Sequence, residues 1–330
     1  MEVQIKKIKP KKSEIYNTYW RFAAERQRIF FSRLKQNYPP WTEDSILSTY
    51  KFTNAYRAAD RVSQYLIKNI IYNGESTPEE VFFRIILFKL FNKIETWEGL
   101  QRHLGVLSFR EYDFESYCNT LYTIRQNNGA IYSGAYIMAS GKSQFGFKKK
   151  HENHLKLIEK MMSDKVFEII SASDNMEEVF LKLTSYPIIG RFLGYQFATD
   201  INYSTLTNFS EMDFVKAGPG AKDGIRKCFS SLGEYTEENV IEMMTDIQER
   251  EFERLGIEFK TLWGRPLQLI DCQNLFCEVD KYSRVAHPNA RGYSNRVRIK
   301  QRFQQTSHRP MDYFFPPKWN LNKKIYKDYE

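Results

Sequence analysis

Residues 183–228, LTSYPIIGRFLGYQFATDINYSTLTNFSEMDFVKAGPGAKDGIRKC, constrain the fold more than any other stretch. Pro187 and Gly190 bracket a short apolar turn. Phe192, Leu193, Tyr195, Gln196, Phe197, Ala198 and Ile201 then repeat at helical spacing. The order predicted is helix, tight turn, helix, loop, glycine-proline loop, helix. A hairpin between two helices turns backbone N–H groups outward at a helix N-terminus, where they suit a phosphate. Asp213 follows Gly190 by twenty-three residues, and Gly218-Pro219-Gly220-Ala221 opens the next helix.

The rest of the chain is also predicted to be helical. Apolar residues recur at three- and four-residue spacing over 15–34. Thr42-Glu43-Asp44 marks a start after Pro39-Pro40, and Thr77-Pro78-Glu79-Glu80 reads as a capping box with proline at the first helical position. Further starts fall at Thr96, Asp174 and Thr236, and 272–285 reads as the last long helix. Residues 127–150, with four glycines and three consecutive lysines, read as a loop or junction. His151 and His154 read as a solvated face beside those lysines. The expectation is all-α: one unit over 1–330 with two helical lobes, approximately 1–150 and 151–290, a cleft between them, and a basic aromatic tail over 291–330.

Composition excludes several classes. Hydrophobic residues make up 42% of the 330, ample for a core, and no run of about twenty apolar residues suggests a membrane span. The charged N-terminus lacks a secretory apolar segment. A cytoplasmic protein with buried thiols is expected, because Cys118, Cys228, Cys272 and Cys277 are too scattered for a disulfide scaffold or a zinc site. No cofactor is expected, and no metal, since the histidines show no ligand spacing. The net charge of +9 is uneven: residues 281–330 hold twelve Lys or Arg against three acids, while 231–258 hold nine acids against two arginines. Tyr293, Phe303, Tyr313, Phe314, Phe315 and Trp319 lie among those cations. Cations interleaved with aromatics suit a nucleic-acid backbone and its bases.

The hairpin followed by Asp213 resembles the helix-hairpin-helix DNA glycosylases. Residues 19–67, 88–100 (FKLFNKIETWEGL) and 274–285 (NLFCEVDKYSRV), with the AGPGAKDGIRKC loop, resemble a narrower family. It comprises the α-glutamyl/putrescinyl-thymine pyrophosphorylases and the helical domain of 5-hydroxymethyluracil DNA kinases, implicated in hypermodification of phage DNA bases. Some relatives resemble anti-phage glycosylases of bulky modified bases. The resemblance implies DNA containing modified pyrimidines as partner. These 330 residues hold no GxxxxGK[ST] run, so the kinase half of the fused proteins is not expected among them.

The resemblance marks Asp213, Asp280 and Lys281 as catalytic candidates, with Asp213 stabilising an oxocarbenium-like sugar. It marks Asn54, Arg57, Trp20, Tyr56, Tyr195 and Gln196 for a base pocket, with Trp41 a further aromatic candidate. Asn54, Arg57, Asp60 and Arg61 read as one helix face, and for Asp60 with Arg61 an interhelical polar network is the stronger reading. Ile189, Gly190, Arg191, Gly218, Gly220, Lys222, Arg226 and Arg284 are the DNA-binding candidates. Asp280 and Arg284, four apart, also form a default helical ion pair. Phe192 stands where bifunctional glycosylases carry a nucleophilic lysine, so water is the expected attacker. The leading expectation is therefore excision of a flipped, bulky modified pyrimidine. A transferase displacing pyrophosphate from an activated 5-hydroxymethyl group, or a non-catalytic module binding modified DNA, remains open.

Overall fold

The chain is described here by a computed structural model, over residues 7–35, 38–134, 138–304 and 312–325. Among these the protein is all-α, with sixteen α-helices and one antiparallel ribbon pairing β1 (Lys11–Lys12) with β2 (Phe229–Ser231). It divides into two units. The first holds residues 1–60, 214–313 and 319–330; the second holds 61–213 and 314–318. The chain thus begins in one unit, crosses to the second, and returns.

In the first unit, α1 (Tyr16–Lys35) buries Tyr16, Tyr19, Trp20, Ala23 and Phe30 and ends on Arg33 and Lys35, where cations suit the helix dipole. The short α2 (Ser45–Thr49) is capped by Asp44, whose carboxylate accepts from the N–H groups of Ile46 and Leu47.

The second unit carries α3 (Arg61–Tyr65), α4 (Pro78–Phe91), α5 (Ile94–Leu104), α6 (Phe114–Asn128), α7 (Lys142–Phe145), α8 (Lys150–Ser163), α9 (Val166–Ser171), α10 (Met176–Thr184) and α11 (Arg191–Ile201). Helix α4 is its core, buried nearly all round. Proline stands at the start of α4 as predicted, but Thr77 makes no side-chain cap. Glu80 is buried and instead accepts from the N–H groups of Phe109 and Arg110, so tertiary structure takes the carboxylate the capping box needed. His151 and His154 are likewise buried, not solvated. His154 Nε2 lies 2.9 Å from the Ala139 carbonyl and Nδ1 3.1 Å from Tyr132 Oη. Burial lowers its pKa to about 4, against a partial raising by the Ala139 carbonyl.

The chain returns through α12 (Pro219–Cys228), α13 (Glu237–Asp246), α14 (Gln248–Arg254), α15 (Leu269–Ala286) and α16 (Asn322–Ile325). Helix α13 starts after Thr236 as predicted, and Thr236 and Asn239 form a capping box there. Residues expected as a basic tail are partly interior. Tyr313 and Phe315 are buried, and Tyr313 packs edge-on to Phe30 at 5.0 Å. Arg302 bridges to Tyr50, and the Phe303 N–H donates to the Thr49 carbonyl at 3.0 Å. No helix among the described residues is long and apolar enough to cross a membrane.

Candidate functional site

The seam between α12 and α15 organises the first unit. A Cβ on Gly224 would lie 2.0 Å from the Phe276 carbonyl oxygen, and one on Gly220 would lie 3.1 Å from Cys277 Sγ. Glycine at these two positions, one turn apart, lets the helices nearly touch. Gly220, a candidate for phosphate binding, therefore already has a packing role.

That close approach seats a charge cluster. Asp280 is 2% exposed. Its Oδ1 meets Lys227 Nζ at 2.8 Å, and its Oδ2 meets Arg284. Lys227 has no exposed side-chain surface and also donates to the Asp280 carbonyl at 3.0 Å. One turn before Lys227, Asp223 accepts from Arg296 at 2.8 Å and from both the N–H and the hydroxyl of Ser294. Burial opposes the Asp223 charge, but Arg296 and Ser294 outweigh it and hold its pKa below the usual carboxylate range. Residues 292–296 are thereby clamped onto α12. Asp280 has both oxygens engaged by cations, so its geometry is that of a clamp rather than a group reaching a substrate. Lys281 is paired with Glu278 at 2.7 Å and lies over the Phe52 ring. Arg284 also holds the Arg298 carbonyl at 2.9 Å.

A second polar cluster surrounds residues 53–60. These do not form one helix: Asn54 lies in a loop, Arg57–Ala59 is a single 3-10 turn, and α3 begins at Arg61. Asn54 Nδ2 donates to the Ala59 carbonyl at 2.8 Å, its Oδ1 accepts from Arg26 at 3.2 Å, and its N–H donates to Asp60 Oδ1 at 2.7 Å. The loop polar groups thus satisfy each other, which a helix would not have required. Arg57 is buried with its N–H on Asp271 at 2.8 Å. Burial raises Asp60 to about 7; the Asn54 N–H lowers it, Glu278 raises it, and Arg26 and Arg57 lower it. Arg61 reaches Glu95 at 3.7 Å.

Two aromatic candidates belong to the core. Trp20 is 0% exposed and packs edge-on against Tyr19 and Phe252. Tyr56 is buried, donates to the Arg265 carbonyl at 2.7 Å, and accepts from Leu262. Neither presents a face to a base. Trp41 packs edge-on to Phe303 at 6.2 Å and lies under Arg33.

The predicted hairpin forms between α10 and α11 in the second unit. Gly190 is the N-cap of α11, Ile189 is buried, and Arg191 is exposed, 6.0 Å from the Phe180 ring centre. Ile188 takes φ +74°, a conformation that favours glycine. Gly141 makes room for it, since a Cβ there would lie 2.4 Å from Ile188 Cδ1. Tyr195 and Gln196 are buried in α11. Asp213 is exposed, and no hydrogen bond or ion pair joins it to the described residues. Gly218 is the N-cap of α12; Lys222 lies 3.9 Å from Glu237, and exposed Arg226 lies 5.0 Å from the Tyr293 ring centre.

Sequence reasoning missed Asp223, Lys227, Arg26 and Glu278. The signal was present for one pair: Asp223 and Lys227 sit four apart, flanked by Gly220 and Gly224. The four cysteines are free, and burial raises Cys118, Cys272 and Cys277 to about 12, so none is a ready nucleophile. Among the described residues no group of three or more His, Cys, Asp or Glu could hold a metal.

The family model described as "5-hmdU DNA kinase, helical domain" matches residues 13–292. A relative from Bacillus phage SP10, named 5-hmdU DNA kinase, is 30% identical over 297 residues, covering 84% of this chain. The chain spans about half of that relative's length, 46%. No solved structure matches significantly. These findings overturn base excision as the expected reaction. A kinase is a transferase and leaves the N-glycosidic bond intact. The hydrolase reading falls, and with it the role of Asp213 at a sugar cation.

Proposed function

We propose, from the premise that this chain belongs to the 5-hmdU DNA kinase helical-domain family, that it engages DNA carrying 5-hydroxymethyluracil and serves group transfer at the 5-hydroxymethyl group. The family match over residues 13–292 carries this reading. The 330 residues contain no GxxxxGK[ST] run; Gly141-Lys142-Ser143 resembles its end, but Tyr136 replaces the first glycine. The role assigned to this chain is therefore the DNA grip and the presentation of the base. A nucleotide-binding partner domain supplies the phosphoryl group.

Exposed cations support the grip. Arg226, Arg291, Arg298, Lys300 and Arg302 all belong to the first unit. Such side chains contact phosphates without reading sequence, so base selectivity must come from elsewhere.

The test compares oligonucleotides that differ only in 5-hydroxymethyluracil or thymine, with affinity measured at fixed salt. Nucleosides are then analysed by mass after incubation with nucleoside triphosphate and a nucleotide-binding domain of the family. The expected result is tighter binding to the hydroxymethylated DNA and a heavier nucleoside that keeps its base. Equal affinity for both DNAs, or release of free base, overturns the proposal.

A further inference from the structure

A cavity of about 870 Å³ opens along α1 in the first unit, walled by α2, residues 257–260 and the end of α15. Its wall contains none of the catalytic, base-pocket or DNA-binding candidates read from the sequence. Its volume lies within the range of ligand sites for small molecules. One wall residue is anomalous. Gln27 is 2% exposed, and its Nε2 is buried without any hydrogen-bond partner. Neighbouring polar groups are occupied. Glu25 is held by Arg28 and Thr42, Tyr282 donates to Asp44 at 2.7 Å, and Thr18 meets His287 Nε2 at 3.0 Å. A buried amide donor left unpaired destabilises the fold, so folding alone gives no reason to place a glutamine there.

We propose that this cavity binds a pyrimidine nucleotide through the Gln27 amide. A primary amide offers one donor and one acceptor in a plane. The imide edge of a uracil-type ring offers the complementary pair, an N–H beside a C=O. Phe22 and Phe31 supply apolar aromatic wall for a flat ring. Arg21 and Lys35 are exposed at the rim, where they suit a phosphate on the same ligand. The choice of uracil among imide rings rests on the function proposed above; the amide site itself does not. Two sources share this chemistry, a free nucleotide and a nucleotide extruded from DNA.

The experiment uses the full chain and three probes: 2′-deoxyuridine 5′-monophosphate, its N3-methyl derivative, and 5-hydroxymethyluracil DNA. Wild type should bind the free nucleotide about tenfold or more tightly over the N3-methyl form, because the methyl group blocks the imide edge and keeps the Nε2 donor from reaching the ring carbonyl beside it. Gln27→Leu should lose that discrimination. It should also keep or raise Tm, since it removes an unsatisfied buried amide without opening a void. If Gln27→Leu instead weakens only the DNA complex, the occupant is an extruded base; if only free nucleotide binding falls, the occupant is a nucleotide. Unchanged binding of both, or a marked fall in Tm that reveals a structural role for the amide, overturns the inference. Wild-type preference for hydroxymethylated over thymine DNA is read in the same titrations. Its absence defeats the proposed function while leaving the Gln27 comparison with free nucleotide intact.

Discussion

Asp280→Leu should be among the most damaging single changes in the first unit. It removes both oxygens used by Lys227 and Arg284. Lys227 has no exposed side-chain surface and would keep only the residue-280 carbonyl at 3.0 Å. Stranding a buried ammonium in this way costs about 3–5 kcal/mol. Lys227→Met should cost less, about 1–3 kcal/mol, because Arg284 still neutralises the carboxylate and Arg296 lies nearby. The double variant Lys227→Met/Asp280→Leu strands no buried ammonium and leaves only Arg284, which keeps the Arg298 carbonyl, without its carboxylate; removal of whole buried pairs is often neutral. Its cost should fall below that of Asp280→Leu alone, giving a coupling energy of about 2–3 kcal/mol. Urea unfolding at pH 7 measures this, with m-values compared to check that all variants expose the same surface. Strict additivity would refute the clamp. A cost for Asp280→Leu below about 1 kcal/mol, combined with lost DNA binding, would return Asp280 to the substrate.

Gly224→Ala should destabilise by about 2 kcal/mol or more, since its Cβ would meet the Phe276 carbonyl at 2.0 Å and neither helix backbone can yield; thermal melts of Gly224→Ala beside an exposed control such as Gly190→Ala, which meets nothing, check this. Two buried groups titrate in overlapping windows with opposite sign. Asp60, raised to about 7, stabilises the fold at low pH and loses that contribution as pH rises from about 4 through 7, so Asp60→Asn should flatten that loss. His154, lowered to about 4, contributes stability that is lost as pH falls from about 6.5 toward 4, so a neutral His154→Gln should resist acid better relative to its own stability at pH 7. Stability of each variant against pH measures both; parallel curves for wild type and variant would refute either assignment. For DNA binding, Arg298→Ala and Lys300→Ala should each reduce the salt slope by roughly one phosphate contact, whereas deleting residues 291–330 should unfold the first unit, because Tyr313 is interior there and Ser294 and Arg296 are clamped onto α12; salt titrations and circular dichroism separate the two.

Much of the helical content was legible, because apolar spacing and caps are local. The hairpin before Arg191, the helix start at Thr236 and the last long helix, read as 272–285 and found over Leu269–Ala286, all follow from neighbours in sequence. Proline at the start of α4 was equally local, yet Glu80 was drawn away to loop residues 29 and 30 positions distant. Long-range pairing of that kind carries no periodic signal. For the same reason Asn54 left the predicted helix face once Asp60, Ala59 and Arg26 could satisfy its polar atoms. Histidines beside a lysine run look solvated until the Ala139 carbonyl and Tyr132 close over His154. The family was legible in motifs, since motifs are sequence. The partners of those motifs were not. Asp280 looked like half of a helical salt bridge and proved also to hold Lys227, 53 residues away, and only the Gly220–Gly224 approach of two helices brings that ammonium into reach. Burial decides charge chemistry, and burial belongs to tertiary structure: the unpaired amide of Gln27 is an ordinary helix surface residue in the sequence and an unsatisfied donor only in the folded chain.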